Sequence, residues 1–305
     1  MAKIILHHYD SSPFSEKVRV CLGIKRLEWL AVEQPVIMPK PALLPLTGGY
    51  RRIPVMQIGA DVWLDSVAIV AELERRHPAP SLFPAGTGGL ATALQYWTDR
   101  EVFQAAVGVI FGGLGDKVDP AFIKDREALS GRPFDPQAMA GAVPYLSDQF
   151  RAHAALLSAQ LADGRAFLEG AAPGLADATA YYNLWFVRAA FPPAAALFAD
   201  LPHLGDWLDR VAALGHGTRS AATPDEALAI AAAHAPDPAL LAASGEHPLL
   251  GQSVIASATD YGRDPVAGQL VGASAQLFSL ARQDAQLGTI HVHLPRIGYA
   301  LSPAG

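Results

Sequence analysis

The order of short apolar segments in the first eighty residues limits the folds open to this chain. Lys3-Ile4-Ile5-Leu6-His7 reads as a buried strand. Residues 14 to about 26 read as a helix with Val18, Cys21 and Leu22 on one face, and residues 28–34 as a second strand. Two strands of one sheet joined through a helix run parallel, because the crossover returns the chain to the same end. Residues 55–58 and 62–64 then straddle Gly59-Ala60-Asp61, the composition of a hairpin turn. Residues 66–76 carry Val67, Val70 and Leu73 at helical spacing, and His77-Pro78 stops them. The pattern is βαβ followed by ββα, a small mixed sheet with helices.

Beyond this unit the texture changes twice. Residues 77–89 are rich in proline and glycine and read as a linker. Residues 90–235 are alanine-rich, with helices expected at 90–111, 143–161, 177–190, 204–214 and 225–233 and no long strand. Small side chains let helix axes approach closely, which suits a tight bundle. After Pro236-Asp237-Pro238, short strands are expected at 252–259, 266–273, 276–281, 289–294 and 296–301. This β-rich piece, residues 245–305, is small enough to be marginal alone and is expected to pack on the helical body. Ile290, Val292 and Leu294 share one face of its fourth strand and His291 and His293 the other. With no third ligand nearby, the two histidines read as a solvated strand face, and no metal is expected.

At 305 residues, the chain has room for two domains and an appendage. Hydrophobic residues make up 51% and charged residues 17%, which excludes a disordered or fibrous protein. The mean hydropathy of +0.20 raises the question of a membrane. The most apolar stretch, between Glu101 and Asp116, is glycine-studded and falls short of the roughly 20 apolar residues a spanning helix needs. The N-terminal apolar run is too short for a secretory signal. A net charge of −6 with no run of Lys or Arg argues against a nucleic-acid partner. The single cysteine, Cys21, leaves no intrachain disulfide and no C-x-x-C pair, as in a reducing compartment.

Three motifs carry candidate chemistry. Tyr9-Asp10-Ser11-Ser12-Pro13-Phe14-Ser15 delivers hydroxyls to a helix start, where unpaired N–H groups and the helix dipole favour an anion such as a thiolate. Ser11 or Ser12 as a simple N-cap, with Pro13 in the first turn, accounts for the same residues. Arg51-Arg52-Ile53-Pro54-Val55 sets a proline at the first residue of a strand, and its Ile-Pro bond is open to the cis form. Asp65-Ser66 opens a helix directly after a strand, either as an N-cap pair or as a receptor for a carboxylate.

Taken together, Ser-Pro-Phe-Ser at the first helix, Ile-Pro before the third strand and Asp-Ser before the third helix resemble the glutathione S-transferase family. The resemblance covers residues 1 to about 235. It implies an α/β thioredoxin-like N-terminal domain (1–80), an all-α helical bundle domain (90–235) and, outside the family pattern, a small β-rich C-terminal subdomain (245–305). It further implies glutathione as co-substrate, a small hydrophobic electrophile, a homodimer and a cytoplasmic location. Ser12 falls where serine-type members hold the glutathione sulfur. Pro54 falls on the family's cis proline, and the Ile53 backbone on the position that pairs with the cysteinyl part. Ser66 falls on the γ-glutamyl carboxylate, with Asp65 near the amine, and Lys40 and Arg52 are candidates for the glycine carboxylate. Tyr9 stands one residue late for the tyrosine-type position, which His8 occupies, and strand alternation would turn it away. Serine in place of the nucleophilic cysteine disfavours thiol transfer and dehydroascorbate reduction, and Cys21 reads as core. Zeta-type isomerases carry Ser-Ser-Cys where this chain has Ser11-Ser12-Pro13, which weakens that reading. A non-catalytic glutathione-binding or fold-only protein and a glutathione-dependent isomerase or lyase stand as alternatives. Phe167-Leu168-Glu169-Gly170 followed by Gly174-Leu175-Ala176-Asp177 resembles the family's buried capping box, with Gly174 replacing Ser or Thr. Gly108, Gly112, Gly113 and Gly115 read as close packing, against a pocket-widening role.

Overall fold

A computed structural model describes residues 3–304 apart from 85 and 243. The chain opens with β1 (Ile4–His8), α1 (Pro13–Ile24), β2 (Glu28–Glu33), the single turn α2 (Leu44–Thr47), β3 (Val55–Ile58), β4 (Asp61–Leu64) and α3 (Ser66–Arg76). β1 runs parallel to β2 and antiparallel to β3, and β3 is antiparallel to β4. The registers place His7 opposite Val55, and Val55 opposite Leu64. The ends of β1 and β4 therefore lie at the same edge of the sheet as the start of β3.

The helical region holds α4 (Gly88–Trp97), α5 (Phe103–Leu114), α6 (Pro120–Ser130), α7 (Pro136–Gln160), α8 (Leu175–Ala190) and α9 (Leu204–Ala213). The one helix expected over 90–111 is two, joined through a π-helical turn at Thr98–Val102. Sequence periodicity also passes over α6, whose apolar residues form no stripe and which rests on Asp119 as N-cap and Gly131 as C-cap. The glycines of α5 are close-packing residues. A Cβ at Gly108 would lie 2.1 Å from Leu146 Cδ1, and one at Gly112 would lie 2.8 Å from the Met139 backbone of α7. Asp177 is buried and accepts from the backbone N–H groups of Leu168 (2.9 Å) and Gly174 (3.0 Å) and from Trp207 Nε1 (2.8 Å). Gly174 has no room for a capping side chain, because a Cβ there would sit 2.8 Å from the Leu82 carbonyl.

The segment 90–235 is not all-helical. β5 (Thr218–Ala221) pairs parallel with β2, and α10 (Pro224–Ala232) follows it. The outer edge of β2 presents unpaired N–H and C=O groups that β5 satisfies. Thr-Arg-Ser-Ala at that exposed edge buries no face, so it carries no apolar alternation to betray a strand. Buried His7 stitches this region together: Nε2 donates to Gln57 Oε1 (3.0 Å) and Nδ1 accepts from Gln34 Nε2 (3.2 Å). The Gln57 amide in turn donates to the Ala227 carbonyl at 2.9 Å. Burial lowers the His7 pKa from 6.5 to about 4, so the folded protein holds a neutral ring that the unfolded chain protonates first. Folded-state affinity for the proton is the weaker, and stability falls as pH drops through 6.5 toward 4. Urea denaturation should show His7 contributing about 2 kcal/mol of lost stability between pH 7 and pH 5, and His7→Gln should flatten that part of the slope.

The C-terminal residues form β6 (Ser253–Ala258), β7 (Val266–Ala273), β8 (Leu277–Asp284), β9 (Gly288–Pro295) and β10 (Tyr299–Pro303). Their main join is to the N-terminal sheet and not to the helical body. β9 runs parallel to β4, giving one ten-stranded sheet in the order β10-β6-β7-β8-β9-β4-β3-β1-β2-β5. The bare edge of β4 supplies the reason, and Val55, Val62 and Leu64 share an apolar cluster with Val254, Leu270, Leu280, Ile290 and Val292. His291 and His293 are accordingly not a solvated face. His293 is buried, with Nε2 2.9 Å from Asp61 Oδ1, Nδ1 2.8 Å from Ser279 Oγ and its ring stacked on Trp63 at 4.8 Å. Asp61 also accepts from the Asp237 backbone N–H at 2.8 Å. Asp61→Ala would strand these buried groups, with an expected loss of about 3 kcal/mol and a lowered Tm on thermal melting.

Candidate active site

Three loops converge where β1 and β4 end and β3 begins. One residue past the registered pairs come Pro54 before β3 and Asp65 after β4, beside the end of β1 at His8. The Ile53–Pro54 bond is cis. α1 and α3 start from this same edge, so two helix N-termini point their unpaired N–H groups at it.

Ser12 is the N-cap of α1 and is buried, its Oγ accepting from the Ser15 N–H at 3.2 Å. Accepting through a lone pair leaves the hydroxyl proton to donate. The capping reading and the anion-binding reading of Ser12 are therefore compatible. Tyr9 lies in the turn beyond β1, so strand alternation does not reach it, and its ring carries the Lys40 ammonium at 5.7 Å. Burial raises the Tyr9 pKa, while Arg126 and the Ser12 hydroxyl pull the other way.

Asp65 adopts φ 75° and caps α3 through Oδ1, which accepts from the Val67 N–H at 3.0 Å; Ser66 is buried beside it. The two cations expected at the glycine carboxylate have different surroundings. Lys40 is buried with its ammonium donating to the Pro35 carbonyl, and burial followed by the field of Arg126 lowers its pKa to about 8. Arg52 donates through Nη2 to the Tyr299 hydroxyl at 2.6 Å, and that hydroxyl donates to Asp65 Oδ2 at 3.1 Å. Arg52 is thus gathered with Asp65, and Lys40 with Tyr9.

α6 closes the other side. Asp125 accepts from the Met38 N–H and from Arg51 Nη1, both at 3.0 Å, and Arg126 donates to the Val36 carbonyl at 2.9 Å. Phe111 and Phe122 stack at 5.4 Å and Phe134 meets both edge-on at 5.1 and 5.9 Å, with Arg126 over the Phe122 ring, together an apolar wall. Tyr50, Asp125, Arg126 and Tyr299 escape sequence reasoning because they join the site from three separate segments, none within a recognisable motif. Cys21 is buried in the core, and burial pushes its thiol pKa up to about 12. The native protein should leave Ellman's reagent colourless, and unfolding should release the single thiol.

A family model described as the N-terminal domain of glutathione S-transferase matches residues 6–81, and one described as the C-terminal domain matches residues 116–210. A GST-like protein from Pseudomonas syringae is 34% identical, with a TM-score of 0.83, over 99% of this chain and 100% of that one. This chain belongs to the glutathione S-transferase family. A glutathione S-transferase from Rhodospirillum rubrum F11 is 23% identical with a TM-score of 0.53, over 68% of this chain and 87% of its own. Another from Methylobacterium radiotolerans JCM 2831, solved with glutathione sulfonate, is 23% identical with a TM-score of 0.51, over 72% of this chain and 96% of its own. Both support the fold alone, whereas the Pseudomonas syringae match runs the length of the chain, β-rich extension included. Among curated protein sequences, none matches this chain.

As a family member, the chain combines the two transferase domains with five further strands on the edge of the first. Among the described residues, no helix is long and apolar enough to cross a membrane, and no three His, Cys, Asp or Glu side chains are grouped to hold a metal ion.

Proposed function

We propose that this protein is a glutathione transferase that binds glutathione across the edge formed by Ser12, Pro54 and Asp65–Ser66 and conjugates it to a small hydrophobic electrophile. The observation that carries the reading is the convergence of two capped helix N-termini, those of α1 and α3, on the loop holding the cis Pro54. The N-terminus of α3, with Ser66, receives the γ-glutamyl carboxylate, and Asp65 receives the amine. The Ile53 backbone pairs with the cysteinyl residue and so directs its sulfur toward the N-terminus of α1. There the Ser12 hydroxyl donates a hydrogen bond to the thiolate and, with the helix dipole, lowers the thiol pKa. The thiol proton leaves to solvent. The sulfur lone pair forms a C–S bond with the electrophilic carbon, and the leaving group departs with its bonding pair. The Phe111–Phe122–Phe134 wall supports an apolar electrophile, and proximity of the two bound molecules supplies much of the rate. Lys40 and Arg52 stay as candidates for the glycine carboxylate, and a cytoplasmic homodimer completes the proposal.

Ser12→Ala should raise the pKa of the bound thiol and lower kcat/KM for conjugation to an aryl halide by about 100-fold, with little change in glutathione affinity. Equal rates in the two proteins would remove Ser12 from the mechanism. Calorimetric titration that gives no heat with glutathione would remove the reading altogether.

A further inference from the structure

The β-rich extension reaches the candidate site through Tyr299 and through the loop that carries Asp260. Tyr299 opens β10, and its register opposite Ala258 of β6, with the Thr259 N–H donating to the Gly298 carbonyl at 2.9 Å, fixes where its backbone lies. Its hydroxyl accepts from Arg52 Nη2 at 2.6 Å and lies 3.1 Å from Asp65 Oδ2 and 3.4 Å from the Tyr50 hydroxyl. A phenol has one proton to give, and the nearer acceptor, a carboxylate, takes it. Asp65 Oδ1 is committed to capping α3, so Tyr299 sets the orientation of the oxygen that is left.

Arg52 is held as firmly. Its guanidinium lies over the rings of Tyr50 (5.0 Å) and Tyr299 (5.7 Å), and Asp260 of the extension approaches Nη1 at 3.6 Å. Its Nε is buried and has no hydrogen-bond partner among the described residues, an unmet donor that an incoming carboxylate would satisfy. The loop carrying Asp260 fills the space between Arg52 and α6: a Cβ at Gly262 would lie 3.1 Å from Arg52 Cδ and 2.8 Å from Leu129 Cδ1. A carboxylate with one oxygen capping a helix and the other held by a phenol anchored on Arg52 is a fixed receptor for an ammonium group.

We infer that Tyr299, carried by the extension and itself held by Arg52, is a positioning residue that orients Asp65 toward the ammonium of the γ-glutamyl end of glutathione. This rests on the glutathione reading proposed above. The extension thereby sets selectivity for a free amino group on the ligand without touching the sulfur chemistry.

The test is calorimetric titration of the full-length protein with glutathione and with glutaryl-cysteinylglycine, which lacks only the α-amino group. In wild type, glutathione binds the tighter. Tyr299→Phe keeps the ring and its packing. It should weaken glutathione about tenfold, leave the analogue unchanged, and raise KM for glutathione with kcat within about twofold. In an Asp65→Asn background the same substitution should add nothing, because Tyr299 acts through that carboxylate. Tyr299→His, which keeps a ring N–H, serves as the second variant and should retain a preference for glutathione over the analogue. Equal weakening of both ligands, unchanged or tighter glutathione binding, or loss of the preference in a folded Tyr299→His protein would overturn the inference. If wild type binds glutathione and Tyr299→Phe binds it as well, only the role of Tyr299 falls. If wild type gives no heat at all, the glutathione reading falls and takes this inference with it.

Discussion

Strand β4 pairs with β3 along one side, and the N–H and C=O groups of its other side need partners that the first eighty residues do not contain. β9 meets that need, and the join is secured by a buried polar clasp in which Asp61 holds His293 and the backbone of Asp237. A carboxylate so placed is stable only when its partners are in register, so the clasp specifies where β9 sits as well as holding it there. From β9 the sheet continues outward to β10, and the position of Tyr299 follows from that same register.

The site depends on this arrangement at one end and on helix geometry at the other. The N-termini of α1 and α3 offer two patches of partial positive charge on one sheet edge, a layout suited to a ligand with two separated anionic groups. Between them the chain supplies charged side chains in neutralised pairs: Arg51 with Asp125, and Arg52 with Asp65 through Tyr299. Pairing of this kind limits the cost of desolvating these charges.

Much of the N-terminal half was legible because short-range rules govern it. The helix of α3 was bounded correctly by Asp65 and His77-Pro78, and the hairpin between β3 and β4 by its glycine turn. What escaped was decided over long distances. β5 is polar and exposed, so nothing local marks it, and its strand character comes from β2 nearly two hundred residues earlier in the chain. The α6 helix shows the same weakness in a different form: its caps are clear, but its apolar residues do not lie along one stripe and only Leu129 among them is buried. His293 looked solvent-facing because strand alternation gives the side of a sheet and not what covers it. Within the candidate site, Ser12, Pro54 and Asp65–Ser66 stand out by motif spacing, whereas Tyr299 and Arg126 belong to segments that no motif links to them.

The return of the chain to β2 through β5 changes how the domains are to be counted. Strands β1 to β4 and β5 to β10 form one continuous sheet, and α4 to α9 leave it after α3 and rejoin it at β5. At the rejoining point the Trp29 indole donates to the His216 carbonyl at 2.7 Å, and Gly23 of α1 admits the Gly215 carbonyl where any side chain would collide. Topologically the helical bundle is an insertion, a passenger looped out of a larger β-domain whose two halves close behind it. A cut at the conventional boundary near residue 80 would therefore not release a finished unit. It would strip β2 and β4 of their neighbours together, leaving a core with two open edges.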